Sequence, residues 1–202
     1  MSSPTLQVII GSTRPVRAGA AVAAWFADVA RADSGFTVET VDLTEVGLPL
    51  LDEPGRPMLG RYVHQHTRDW SATISRGDAF VVVPEYNHGY NAATKNAIDY
   101  LWAEWRDKPV GFVSYGGLAA GTRAVQGLRQ VFLALKAHPV SEAVVIANVA
   151  QLIEDGATVA ATEGMKLAAK TMLDELARRN TAMRRLRAPK TADGRSRSVA
   201  ER

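Results

Sequence analysis

Short apolar runs alternate along this chain with stretches in which apolar positions recur every third or fourth residue. LQVII at 6–10 reads as a buried strand ended by Gly11. Residues 17–32 then place Ala20, Ala23, Ala24, Ala27 and Ala30 at helical spacing with Trp25 and Phe26. FTVETVDL at 36–43 alternates with period two and predicts the next strand, Gly35 stopping the helix before it. Residues 44–60 carry three prolines and three glycines and read as a loop. Over 61–77, Tyr62, Val63, His66, Trp70 and Ile74 recur at helical spacing, ahead of a third strand, AFVVV, at 79–83. A helix over 92–105 and a strand PVGFVSY at 109–115 follow. The next helix, 121–137, turns Val125, Leu128, Val131, Phe132 and Leu135 inward, although Gly127 weakens it. AVVIA at 143–147 is the fifth strand, and the Ala- and Leu-rich residues 157–187 predict a long closing helix.

Strands that alternate with helices and are apolar throughout are those of a parallel sheet covered on both faces. With right-handed crossovers, a five-stranded sheet takes the order 2-1-3-4-5 and binds ligands beyond the carboxyl ends of its strands, where the order reverses. The loops after strands one, three and four are therefore the places for chemistry.

Composition narrows the reading further. At 202 residues and 47% hydrophobic, the chain is expected to form a single domain over 1–180. It contains no cysteine, which removes disulfides, thiolate catalysis and cysteine metal sites. The opening MSSPTLQVIIG reads as neither signal peptide nor membrane span, so a cytoplasmic protein is the expectation. Of the net +3, residues 181–202 carry a local +5, leaving a near-neutral body. That segment is diluted by Ala, Pro, Gly and Ser and predicts a poorly ordered solvated tail rather than a nucleic-acid or membrane contact.

The first loop, GSTRPVRAG at 11–19, joins a strand to a helix N-terminus whose amides and dipole suit an anion, with Ser12, Thr13, Arg14 and Arg17 as added donors. It fits neither GxxxxGK[ST] nor GxGxxG, which disfavours a magnesium-bound triphosphate and a Rossmann dinucleotide. An ordinary turn with Ser or Thr as cap explains the hydroxyls but not both arginines. In the second, PEYNHGYNAATKNAIDYL at 84–101, Tyr86 and Tyr90 can flank a planar ring with His88 nearby, while Asn91 or Thr94 can cap the helix. The third, SYGGLAAG at 114–121, allows close approach to the backbone or is merely connective. One loop for a phosphate and two for a flat heterocycle meet at one edge of the sheet.

These three segments, with the third continued as SYGGLAAGTRAVQGLRQVFLALKAHPV, resemble the NADPH-dependent FMN reductases of the flavodoxin-like superfamily, over residues 5–150. The resemblance implies a flavodoxin-like three-layer sandwich, bound FMN, and NADPH or NADH as co-substrate. It places the phosphate at Ser12, Arg14 and Arg17 with Gly19 or Ala20 beside it. It lines the isoalloxazine with Pro84, Glu85, Tyr86 and Asn87, chiefly through backbone, and holds the ring's other edge with Ser114, Gly116 and Gly117. It further implies hydride transfer to the flavin and delivery of two electrons to a small-molecule acceptor such as free flavin or a quinone. No side chain is then required as acid or base, so no catalytic residue and no metal ligand is assigned; His88 stands only as a pocket wall or proton donor, and the amides of Gly116 and Gly117 face the flavin N1 and O2 edge. The alternative is a non-enzymatic FMN-carrying shuttle, and a near-neutral body with a basic tail argues against it. A hydrolase lacks its GxSxG elbow, and His64 and His66, two apart on a helix, are expected to point different ways. Tyr100, Trp102 and Trp105 on helix 92–105 exceed one core stripe, from which a homodimer or homotetramer is expected.

Overall fold

A computed structural model describes residues 3–84 and 87–187. β1 (Thr5–Ile10), β2 (Thr37–Asp42), β3 (Ala79–Val83), β4 (Pro109–Tyr115) and β5 (His138–Ile146) form a parallel sheet of order β2-β1-β3-β4-β5. The order reverses between β1 and β3, as the alternation of apolar strands and helices predicts. Successive side chains of a strand face opposite ways. In β3, Ala79, Val81 and Val83 join an aliphatic core under α1 (Ala18–Asp33) and α6 (Glu163–Arg187). Phe80 and Val82 join an aromatic core under α3 (Gln65–Arg76), α4 (Ala92–Asp99) and α5 (Thr122–Ala134). Burial on both faces is why the strand reads as an unbroken apolar run.

Several elements differ from their expected form, each through a contact the local pattern does not contain. The helix expected over 92–105 stops at Asp99 and is followed by a single 3-10 turn, Ala103–Trp105. The break drives Trp105 into the core, 4.9 Å from Phe80 and 5.5 Å from Phe132 between ring centroids, with its indole N–H donating to the Ile98 carbonyl at 3.2 Å. Tyr100 is also fully buried and Trp102 half-buried, so these aromatics supply core rather than an exposed face, and the expected homo-oligomer loses that support. Residues 61–64 are not helical: the Glu53 carboxylate accepts from the amides of Val63 and His64 at 2.9 and 3.0 Å, and α3 begins only at Gln65. His64 is therefore extended, helical spacing does not apply, and its ring stacks on that of His66 at 5.2 Å instead of pointing away.

The fifth strand begins five residues earlier than AVVIA suggests: His138 and Pro139 pair with Pro109 and Val110, and an irregularity between Val110 and Phe112 absorbs residues 140–142 before Ala143 pairs with Phe112. The Arg129 guanidinium donates to the carbonyls of Val140 and Ser141 there. Before α6 the chain makes a small hairpin, β6 (Ile153–Glu154) with β7 (Thr158–Val159), turned by Asp155 and Gly156 at positive φ, a signal legible as Asp-Gly. The loop after β2 opens with the short α2 (Leu43–Val46), where the Asp42 carboxylate accepts from the Thr44 amide at 2.9 Å. The first seven residues of the basic segment continue α6, with Arg187 bonded to Asp78, Asn180 and the Asp107 carbonyl; the rest of the expected tail lies outside the described residues.

Candidate flavin site

The carboxyl ends of β1 and β3 are laced together by backbone and by one side chain. The Gly11 amide donates to the Val83 carbonyl at 2.9 Å, and Asn91 Nδ2 donates to the Gly11 carbonyl at 2.6 Å. Loop one is thereby tied to both ends of loop two. A Cβ at Gly11 would lie 2.3 Å from Thr94 Oγ1, so α4 can approach only because residue 11 has no side chain. Asn91 Oδ1 and Thr94 Oγ1 are buried at this junction, without a hydrogen-bond partner among the described residues. Asn91 is the residue before α4, yet its side chain makes no cap bond.

Loop one delivers the chain to α1. Arg17 precedes the helix with no side-chain cap, and the first turn holds no acidic residue, so the positive end of the helix is left for an anion. Arg14 is exposed in the same loop, while Ser12 is fully buried. Arg17 points elsewhere. Its Nη1 donates to the Ser12 carbonyl at 2.6 Å, to Asp42 Oδ1 at 2.9 Å and to the Thr44 hydroxyl, and its Nη2 pairs with Asp42 Oδ2. With side chains only 16% and 12% exposed, Arg17 and Asp42 form a clamp between loop one and the β2–α2 corner. Gly19 lies in the first turn of α1, where a Cβ would sit 2.7 Å from the Tyr115 hydroxyl.

In loop two, Pro84 is buried and Asn87 and His88 are exposed, His88 in the left-handed region at φ 59°. Glu85 and Tyr86 lie outside the described residues. Tyr90 does not flank the site: its ring fills the space over Gly127 of α5, where a Cβ would come within 2.7 Å of Tyr90 Cε1. The glycine that weakens α5 in the sequence is the seat of this ring.

Loop three is built around two consecutive left-handed residues, Ala120 and Gly121, and a Cβ on Gly121 would meet the Tyr115 carbonyl at 2.8 Å. Ser114 is fully buried beneath this turn, its hydroxyl without a hydrogen-bond partner among the described residues. The Gly116 amide donates to the Ile146 carbonyl at 3.2 Å, so it is already engaged. Gly117 faces open space, and among the described residues its amide has no partner. Residues 148–149 also reach this edge, unforeseen in the sequence, their amides donating to the Gly117 and Gly116 carbonyls at 3.1 and 3.0 Å. With Ala150 and Gln151 they bound a cavity of about 330 Å³ beside Gly116 and Gly117. Asn148 takes the left-handed conformation that asparagine tolerates.

An uncapped helix end, glycines where backbones must close up and an open amide at Gly117 are the donor set for a phosphate and a heterocycle edge at one switch point. That defines a mononucleotide-binding protein of flavodoxin-like architecture. The chain belongs to the NADPH-dependent FMN reductase family, whose description matches residues 4–151. It is 40% identical over 149 residues to an NAD(P)H-dependent FMN reductase of Schizosaccharomyces pombe, a match covering 71% of this chain and 74% of that one. It is 35% identical over 141 residues to the NAD(P)H-dependent FMN reductase LOT6 of Saccharomyces cerevisiae, covering 64% of this chain and 73% of that one. Among solved structures it resembles FerB, a flavoenzyme NAD(P)H:(acceptor) oxidoreductase from Paracoccus denitrificans. There the TM-score is 0.68 at 21% identity, over 89% of this chain and 98% of that one. Among the described residues no helix is long and apolar enough to cross a membrane.

Proposed function

We propose that this chain holds FMN across the carboxyl edge of its sheet, with the phosphate at the start of α1 and the ring between loops two and three, and acts as an NAD(P)H-dependent oxidoreductase. The observation that carries the assignment is the uncapped, acid-free start of α1 at the switch point, opposite the open Gly117 amide. FMN, when bound, supplies the redox chemistry, accepting hydride from NAD(P)H and returning two electrons to a small-molecule acceptor.

The residues divide the work by geometry. The exposed Arg14 guanidinium and the amides at the start of α1 bind the phosphate. Arg17, committed to Asp42, fixes the loop's shape rather than donating to the ligand. Pro84 and Asn87 offer backbone to one face of the ring. Gly117 donates to the ring's polar edge, while Gly116, bonded to Ile146, and the buried Ser114 support the turn beneath it. Gly19 admits the close approach of α1 to β4. The shuttle alternative is not favoured, since the family is one of reductases.

Fluorescence titration of FMN with the purified protein, followed by mixing the complex with NADPH in a stopped-flow cell, tests the assignment. Quenching and then rapid bleaching of the oxidised flavin's visible absorption are expected. No quenching would refute flavin binding, and quenching without bleaching would refute the reductase.

A further inference from the structure

Past the end of β5 the chain returns to loop three. Asn148, Val149, Ala150 and Gln151 bound, together with Gly116 and Gly117, the cavity of about 330 Å³ that follows the carboxyl end of β4. One wall is thus the segment assigned above to the ring's polar edge, and the other is a segment that no loop motif of the sequence marks. Among the described residues no ionisable side chain lines this cavity. Backbone joins the two walls: the Asn148 and Val149 amides donate to the Gly117 and Gly116 carbonyls at 3.1 and 3.0 Å, which fixes Asn148 beside Gly117.

Asparagine has two ordinary reasons to stand at position 148, and only one applies. Its φ of 49° and ψ of 44° lie in the left-handed region that asparagine tolerates. It also precedes the 3-10 turn Val149–Gln151, where an asparagine commonly caps through its side chain, yet no such bond is made. The backbone conformation alone would be served as well by glycine. The carboxamide is therefore left over from folding: it is exposed at the cavity, without a hydrogen-bond partner among the described residues, beside the Gly117 amide in the same condition. An N–H donor and a carboxamide side by side offer a donor and an acceptor together. Their complement is an uncharged edge that alternates acceptor, donor and acceptor, as the –CO–NH–CO– group of an imide does. A carboxylate edge would lose hydration where no cation lines the wall, and a hydrocarbon edge would strand the Gly117 amide.

We propose that Asn148 is a specificity-determining residue of the flavin site, its carboxamide oxygen accepting from the imide N–H at the pyrimidine end of the ring while the Gly117 amide donates to an adjoining carbonyl. The assignment rests on the flavin reading above and adds to it a side chain from beyond β5, outside the three loops. Affinity then depends on the imide N–H itself, and that dependence disappears with the carboxamide.

The test titrates the flavin-free full chain with FMN and with FMN methylated at its imide nitrogen, following the fluorescence of the ligand. The wild type should bind FMN at least about ten-fold more tightly than the methylated form. Asn148→Gly, which keeps the left-handed backbone and removes the carboxamide, should bind the two alike. Asn148→Asp, which tolerates the same backbone and keeps an acceptor oxygen, should retain the preference for FMN. Equal binding of the two ligands by the wild type, a preference that survives in Asn148→Gly, or its loss in Asn148→Asp would each overturn the assignment. If Asn148→Gly does not fold, as read by circular dichroism, the wild type and Asn148→Asp decide the matter. A wild type that binds neither ligand would refute the flavin reading and this assignment with it, whereas FMN binding without discrimination would refute this assignment alone.

Discussion

Gly19 offers a sharp test of how α1 meets the sheet. In a helix an alanine is ordinarily favoured over glycine by about 1 kcal/mol. Here the added Cβ would stand 2.7 Å from the Tyr115 hydroxyl, and the next atoms, Ser12 Cβ and Tyr115 Cζ, are 3.3 and 3.4 Å away. Reaching ordinary contact requires about 0.7 Å of movement in a buried ring or in the helix end. Overpacking of this kind costs about 1–3 kcal/mol. Gly19→Ala alone should therefore be neutral to about 2 kcal/mol destabilising. In a Tyr115→Phe background the offending oxygen is gone, and the same substitution should stabilise by up to about 1 kcal/mol. The cycle cancels whatever the Tyr115→Phe change costs by itself and leaves a coupling of about 1–3 kcal/mol. Urea denaturation of the four flavin-free proteins measures it, and parallel FMN titrations should show affinity lost in Gly19→Ala and regained in the double variant. If Gly19→Ala has the same effect in both backgrounds, to within about 0.5 kcal/mol, the Tyr115 hydroxyl does not set the spacing between α1 and the sheet.

Asn91→Leu leaves the Gly11 carbonyl without its donor, a loss of about 1–3 kcal/mol; FMN affinity should fall with it, and unchanged flavin binding would show that loops one and two are not coupled through this bond. Arg14→Ala should weaken FMN by about 1.5–3 kcal/mol, whereas Arg17→Met should chiefly lower the stability of the flavin-free protein, by about 2 kcal/mol or more, by stranding Asp42; the opposite pattern in titrations and melts would reverse the two roles. Burial, reinforced by the nearby Arg187 charge, pushes the Lys108 ammonium down to about 8 from its ordinary 10.5. The unfolded chain then binds more protons between those values, so this group makes stability rise with pH from about 8 to 10.5 and contributes no slope below 8. The rise is on the order of 3 kcal/mol, and denaturation curves across that window should steepen for the wild type relative to Lys108→Met; parallel curves would refute the shift.

Much of this architecture is legible without coordinates because parallel strands covered on both faces must be apolar throughout, and the helices between them carry their own period. AFVVV and PVGFVSY are strands to the residue. The site is legible as three loops for the same reason: once strand order follows from crossover handedness, the ends of β1, β3 and β4 must meet. What local pattern cannot carry is the identity of a partner distant in sequence. Arg17 looks like a phosphate ligand until Asp42, 25 residues on, is seen to hold it. Tyr90 looks like a ring platform until Gly127 receives it, and Tyr100 and Trp105 look exposed until the helix carrying them breaks to bury both.

The sequence by itself determined the elements, their order in the sheet and the edge proposed for the flavin, since each depends on periodicity, turn residues and chain handedness. Only the tertiary structure decided which polar groups at that edge are available: the Gly116 amide is spent on Ile146, the Gly117 amide has no partner among the described residues, and Asn91 binds loop one rather than capping its own helix. Availability depends on every donor and acceptor within hydrogen-bond reach, and those come from segments that folding alone brings together.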